Sequence, residues 1–381
     1  MKFGIFHELS VGKPWHANSE HEVYHNALEQ VVLADELGFD QTWAVEHHFL
    51  EEYSHCSAPE VFLAAAAART KNIRIGQGIS VVLPPFNHPI RCAERAAALD
   101  IISGGRLEFG TGRSATWTEL GGFRCDPDRT KEMWDESVRA IPRMWTEETF
   151  SWDGKFFKTP PRKVLPKPLQ KPHPPLWVAV SSPETAVQAA ERGIGCLGVS
   201  IGTPKAYEKR VKDYRRAIKS CEPVGDFVND QVNGVTFLYV DETDEAARTW
   251  GTKLAYSFSH LAAHLVGIGT VYPTPAYTNP GLLFALRRSS SDEKAPGGGG
   301  VVGEGMGIGS PQTVIKNLKM WQEIGVDRMV FIINTAEQIP QEKVLNSLRL
   351  FAEHVMPAFD RPPAKKAASK SKKQAPAPAM P

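Results

Sequence analysis

Residues 43–60 read WAVEHHFLEEYSHCSAPE, an apolar run that ends in Glu46-His47-His48, with His55 seven residues beyond His48. Three chemistries fit these side chains: a metal site, an acid–base group in a pocket, or a polar piece of core. Adjacent residues of an extended segment point to opposite sides, so His47 and His48 do not share one ion. A metal site built from several strands needs companions, and the other strand ends offer only His7 and His88. The metal reading loses on both counts. A neutral imidazole near its free pKa suits proton transfer, or a hydrogen bond to a ligand. His48 is assigned to the polar core, which leaves His47 for chemistry. His7 and Glu8 read as polar lining.

A second group could hold an anion. Ser181, Ser182 and Thr185 open a helix, where unpaired N–H groups and the positive dipole end favour phosphate. Arg113, in GTGRSATW (110–117), supplies a fixed charge with a planar fork. Taken singly, the serines read equally as helix caps, and Arg113 as half of a surface ion pair. On neighbouring strand ends they read together as a phosphate site. GTGRSA also spells G-x-G-x-x-A, but TWTELGGF (116–123) does not read as a helix start and no acidic residue closes a following strand. A Rossmann nucleotide site is therefore rejected.

These residues need a frame. Eight β-rich runs alternate with helical patterns: 2–6, 42–45, 73–82, 107–110, 176–180, 196–199, 235–240 and 328–333. Helices are expected over 20–37, 59–70, 89–102, 130–145, 183–192, 204–218, 243–266, 311–324 and 341–355. Ser182-Pro183, Thr203-Pro204 and Ser310-Pro311 place a capping hydroxyl before a first-turn proline. Gly38, Gly193 and Gly325 stand where helices stop just before strands. Repeated β/α units of this number predict an α/β fold, a (β/α)8 TIM barrel, whose strand C-termini carry function. A doubly wound sheet with a second domain is the alternative. Asp153-Gly154 predicts a small hairpin insertion. Residues 267–309, with eight Gly among the last thirteen positions, read as a Gly-rich lid loop.

Composition narrows the setting. The formal net charge is +1, which carries no signature for nucleic acid or an anionic membrane. The stretch 362–381 holds five Lys and no acid, and residues 361–381 read as a disordered basic tail after a barrel over 1–360. Five scattered Cys without C-x-x-C point to a reducing compartment, and the chain shows neither a leader pattern nor a long apolar span. A cytoplasmic protein is expected.

The chain resembles the bacterial luciferase-like flavin-dependent monooxygenases. The likeness runs through MKFGIF (1–6), GFDQTWAVEHHF (38–49), VVLPPFNHPIRCAERAAALDIISGGRLEFGTGRS (81–114), SSPET (181–185), GSPQTVIKNLKMWQEIGVDRMVF (309–331) and VMPAF (355–359). It implies a barrel that binds reduced FMN and uses molecular oxygen. On this resemblance, Glu46 and His47 line the isoalloxazine pocket, with His47 the catalytic base. Ile79 and Ser80 fall at a strand bulge behind the flavin, often with a cis peptide. Arg113, Ser182 and Thr185 hold the phosphate, and Gly112, Ser181 and Ser200 stand in the cofactor-binding segments. His88 and Trp117 are placed at the substrate pocket. Gly112 replaces a reactive Cys of the luciferase catalytic subunit, and Ser181 replaces a Glu. Light emission and a long-chain aldehyde substrate are therefore not expected.

The expected activity is oxygenation of a small, apolar organic substrate, with reduced flavin delivered by a separate reductase. A deazaflavin-dependent oxidoreductase and a non-catalytic flavin-binding subunit are the alternatives. The Ala run 64–68 and the resemblance together predict a homodimer.

Overall fold

A computed structural model describes residues 1–114, 116–199, 203–268 and 302–359. Eight parallel strands close into a ring: β1 (Lys2–His7), β2 (Gln41–Ala44), β3 (Arg74–Val81), β4 (Leu107–Gly112), β7 (Leu176–Val180), β8 (Gly195–Val199), β9 (Val232–Val240) and β11 (Arg328–Ile332). β8 pairs with β9, and β11 returns to β1 with Lys2 opposite Arg328, which closes the barrel. All nine residues of β9 and all five of β11 are buried. Such continuous burial belongs to parallel strands covered on both faces.

The expected eight strands are all present. Helices α1 (Ser19–Glu36), α2 (Pro59–Arg69), α3 (Pro89–Ile102), α5 (Thr130–Thr146), α6 (Pro183–Glu191), α7 (Pro204–Ala217) and α8 (Asp244–Leu261), with Pro311–Glu323 and Gln341–His354, match the expected helices within a few residues. Gly38, Gly193 and Gly325 take φ of +84°, +66° and +92° at the helix stops. The left-handed region is open to glycine without the Cβ penalty.

The barrel interior is fixed by two indoles. Trp43 of β2 and Trp177 of β7 meet edge to face at 5.7 Å. Trp43 lies across Gly76 of β3, its register partner, where a Cβ would sit 2.2 Å from the ring. Gln41 accepts from Trp43 Nε1 (3.0 Å) and Asn233 Nδ2 (3.1 Å), and Trp177 Nε1 donates to Glu108 (2.6 Å). Glu108 is held in turn by Arg74 and Arg328 at the strand N-termini. This end is closed by packing and permanent charge, so side chains for chemistry gather at the other.

Four expectations need correction. The segment 116–123 is helical after all: α4 (Trp117–Gly122) starts at Thr116, whose hydroxyl accepts from the Glu119 N–H (3.1 Å). A T-x-x-E start is a capping signature, and it outweighs the two glycines that follow. Of the three Ser/Thr-Pro starts, only Ser182 caps through its side chain. At the Pro311 helix, Asp244 accepts the Ser310 N–H (2.7 Å) instead. The hairpin β5 (Phe150–Asp153)–β6 (Lys158–Arg162) turns over four residues rather than at Asp153-Gly154 alone, because Glu136 gathers the N–H groups of Lys155, Phe156 and Phe157. Past α8 the chain continues as a π-helical turn, Ala262–Ile268, and Gly307–Gly309 form a strand, β10, on β9. So the last three residues of the expected lid loop are sheet. Residues 269–301, the tail and Ser200 lie outside the described residues.

Candidate active site

β2 ends at Ala44, and the next four residues cross the barrel mouth. Glu46 ties this crossing down. One of its oxygens accepts from the Val81 N–H (2.7 Å), the other from Asn87 Nδ2 (2.6 Å) and, at 3.3 Å, from His48 Nε2. Both carboxylate oxygens are thereby used by protein donors. His48 sits among the rings of Phe86 (5.2 Å) and Phe123 (4.9 Å). That is a structural setting for His48. His55 turns away to Glu20 of α1 at 2.8 Å.

His47 has a different environment. Its Nδ1 is 3.0 Å from Oε1 of Glu119, and its Nε2 is 3.9 Å from Oε2 of Glu8. Glu119 is fully buried on α4 and also accepts from the His48 N–H (3.1 Å) and from the hydroxyls of Ser114 and Thr116 (both 2.8 Å). Ser114 reaches it from a left-handed backbone conformation, φ +64°. Sequence reasoning missed Glu119 altogether, because it rejected the helix that carries it. The T-x-x-E pattern at 116–119 was the available signal.

Burial alone lowers the His47 pKa, but the charges of Glu119, Glu8 and Glu46 outweigh it and raise the pKa to about 9. Burial pushes Glu119 up, yet the His47 charge and hydrogen bonds from His47, Ser114 and Thr116 hold it below its ordinary range. Glu8 is raised by burial to about 7, against the pull of His47 and Tyr53. His7, its neighbour, is driven by burial to about 3 and stays neutral. Among the described residues, no three His, Cys, Asp or Glu side chains are arranged to hold a metal ion.

The rest of the mouth is built around β3 and β4. The Gly78–Ile79 peptide is cis, and the register with β4 shifts between Gln77 and Ser80. Ile79 crosses over Gly112, where a Cβ would sit 2.5 Å from its terminal methyl. A side chain at 112 would require Ile79 to move. Ser80 is buried, with its hydroxyl on the Cys92 thiol of α3.

Arg113 follows β4 and donates to Thr130 Oγ1 (3.0 Å). By register, Thr111 faces Val178, so Arg113 lies beside the β7 end that leads into Ser181. At α6, Ser182 Oγ accepts from the Thr185 N–H (3.2 Å) and lies 3.0 Å from Thr185 Oγ1. Ser181 is exposed, and its carbonyl accepts from Arg210 (3.4 Å). The donor set of a cation, two hydroxyls and a helix N-terminus fits a phosphate.

The two substrate-pocket expectations diverge. Trp117 stands at the start of α4, two residues from Glu119, and packs on Gly121. His88 instead caps α3, accepting from the Ile90 N–H (3.3 Å), and touches Phe157 of the hairpin at 5.5 Å. The structure does not bring it to His47.

The model of the luciferase-like monooxygenases matches residues 1–328. The oxygenase component of the flavin-dependent trigonelline monooxygenase of Acinetobacter baylyi is 28% identical over 367 residues, covering 94% of this chain and 96% of that protein. A monooxygenase of Streptomyces bottropensis superimposes with a TM-score of 0.76 at 29% identity, over 94% of this chain and all of that one. The oxygenating constituent of a Pseudomonas putida 3,6-diketocamphane monooxygenase, solved with FMN, has the same fold: TM-score 0.73, 19% identity, 94% and 98% covered.

Proposed function

We infer the activity from the premise that this chain belongs to the luciferase-like monooxygenase family and is a flavin-dependent monooxygenase. The specific reading is a reduced-FMN oxygenase acting on a small, apolar organic substrate. One observation carries it: a half-buried histidine paired with a fully buried carboxylate stands at the same barrel end as a phosphate-type donor set.

Arg113, Ser182 and Thr185 would hold the FMN phosphate, and the Ile79–Gly112 crossing would receive the ring system. Bound reduced FMN would supply the electrons that activate oxygen. The protein's part is to orient, exclude water and manage protons. His47 does the last, with Nδ1 fixed on Glu119 and Nε2, 3.9 Å from Glu8 Oε2, carrying the exchangeable proton. Its pKa of about 9 makes it an imidazolium at neutral pH, so the resting ring is a proton donor that becomes a base only after giving up its proton. Glu46 braces the segment rather than transferring protons. Trp117 belongs to the substrate side.

The name of the Acinetobacter relative, an oxygenase component, supports delivery of reduced flavin by a separate reductase. Exposed Val61 on α2, beside the Ala run, supports a homodimer through that helix. No helix among the described residues is long and apolar enough to cross a membrane, and we place the protein in the cytoplasm.

A deazaflavin with its longer acidic tail would want more cations than Arg113 and Arg210 supply. Titration of the protein with FMN, reduced FMN and deazaflavin, followed by oxygen uptake over a panel of apolar substrates, tests the reading. Tight reduced-FMN binding with substrate-dependent oxygen uptake is expected. Preference for deazaflavin, or flavin binding with no oxygen use on any substrate, would overturn it.

A further inference from the structure

The Glu8 carboxylate has no part in the brace at Glu46 or in the phosphate donor set, yet it is 5% exposed and its Oε2 has no hydrogen-bond partner among the described residues. Leaving a buried charged oxygen unpaired is costly. Its position is nonetheless firmly set. Ser54 Oγ donates to the Glu8 carbonyl (2.6 Å), and Ser10 Oγ donates to the Tyr53 carbonyl (2.7 Å), stitching the end of β1 to the segment after His47. Tyr53 then donates its hydroxyl to Glu8 Oε1 (3.4 Å) and sets its ring edge to face against His47 at 5.3 Å. These contacts leave Oε2 turned to one neighbour, Nε2 of His47, at 3.9 Å.

We propose that Glu8 is a positioning residue for His47 and the group with which its Nε2 exchanges a proton, completing a row Glu119–His47–Glu8 whose two carboxylates are buried. This rests on the reading of His47 as the acid–base group. The exchange is a proton transfer alone. The Nε2–H bond breaks and an Oε2–H bond forms, so imidazolium and carboxylate become neutral imidazole and carboxylic acid. No electrons leave the pair. Closing 3.9 Å to hydrogen-bond distance needs a shift of about 1 Å. Glu119 stays ionised throughout, because four donors hold it. Glu8 thus gives His47 a second, internal proton partner, and the ring can be returned to its charged form without water.

Beside His7, which stays neutral, a few charged or ionisable groups act on the pair. They are Glu119 from α4, Glu46 and Cys56 from the segments flanking His47, and Tyr53. Burial, the Glu8 charge and, for Tyr53, that of Glu119 push Tyr53 and Cys56 well above their ordinary values, so both remain neutral. Glu8 is raised to about 7 and His47 to about 9, and interacting groups titrate as a pair.

The test uses the full-length, flavin-free protein with 15N-labelled histidine and 13C-labelled glutamate side chains. In wild type, the His47 ring and the Glu8 carboxyl are expected to titrate in the same two coupled steps. Glu8→Gln should lower the His47 midpoint by roughly one unit or more, a tenfold change in its proton equilibrium. With reduced FMN present, the basic limb of the kcat profile should move by the same amount while KM for reduced FMN stays put. An unmoved His47 titration in Glu8→Gln overturns the proposal. If that variant does not fold, independent single-step curves for the two wild-type groups overturn it equally. Because the titrations need no flavin, loss of the oxygenase reading would leave this result standing, and the reverse holds too.

Discussion

The two ends of this barrel both bury acids, but they neutralise them differently. At the strand N-termini, Glu108 is met by Arg74 and Arg328, and Asp40 by Lys2 and Arg328. At the mouth, the ion pairs of Glu8, Glu46 and Glu119 among the described residues are all with histidines. A guanidinium fixes the charge of its partner, whereas an imidazole lets the charge vary with one proton. The first arrangement serves stability, and the second serves chemistry.

Breaking the fixed end should have the largest effect on folding. Arg74→Met leaves Glu108 with a distant Arg328 and the Trp177 N–H, and removes the contacts to Leu107 and Gln170. A loss of about 3 kcal/mol is expected, because a buried charge is left underpaired. Urea unfolding from pH 6 to 9 should show the loss at every pH. A loss that vanished at alkaline pH would mean this end also depends on a titrating group.

The mouth should behave in the opposite way. His47 is raised from an unfolded value near ~6.5 to about 9. Its stabilising contribution is therefore complete below the unfolded value, and is lost as pH rises through about 9. Glu119 is lowered, so its contribution is lost only as pH falls through the acidic carboxylate range. Glu119→Gln should cost on the order of 1–3 kcal/mol near pH 6 and progressively less towards pH 10. Parallel stability curves for wild type and variant would contradict the pairing.

A smaller effect is expected at α6. Ser182→Ala removes the cap on Thr185, at about 1 kcal/mol of stability. It should also weaken FMN binding by roughly tenfold, the equivalent of one charge-assisted hydrogen bond. Unchanged FMN affinity with reduced stability would make Ser182 a cap and nothing more.

These regions also differ in how far they could be read from sequence. The strands were legible because parallel barrel strands are apolar throughout, and the helix stops because glycine marks the left-handed turn. His47 and His48 were separable by alternation, and their contacts do diverge. Glu119 was hidden because two glycines after it obscured a capped helix of six residues. Glu8 was visible but unranked, since nothing local reveals that a chain segment 45 residues on will bring Tyr53 and His47 against it. His88 also caps α3, a role that a histidine before a proline can equally take. The crossing of Ile79 over Gly112 depends on the register shift in β3, which no spacing records.

The central claim is that His47 does the proton chemistry of a reduced-FMN oxygenase. It is tested most directly by substrate-dependent oxygen uptake of His47→Ala, alongside its reduced-FMN affinity. We expect turnover to fall by about 10²–10⁴ while the affinity, set at Arg113, Ser182 and Thr185, is kept. Full turnover in His47→Ala would contradict the assignment.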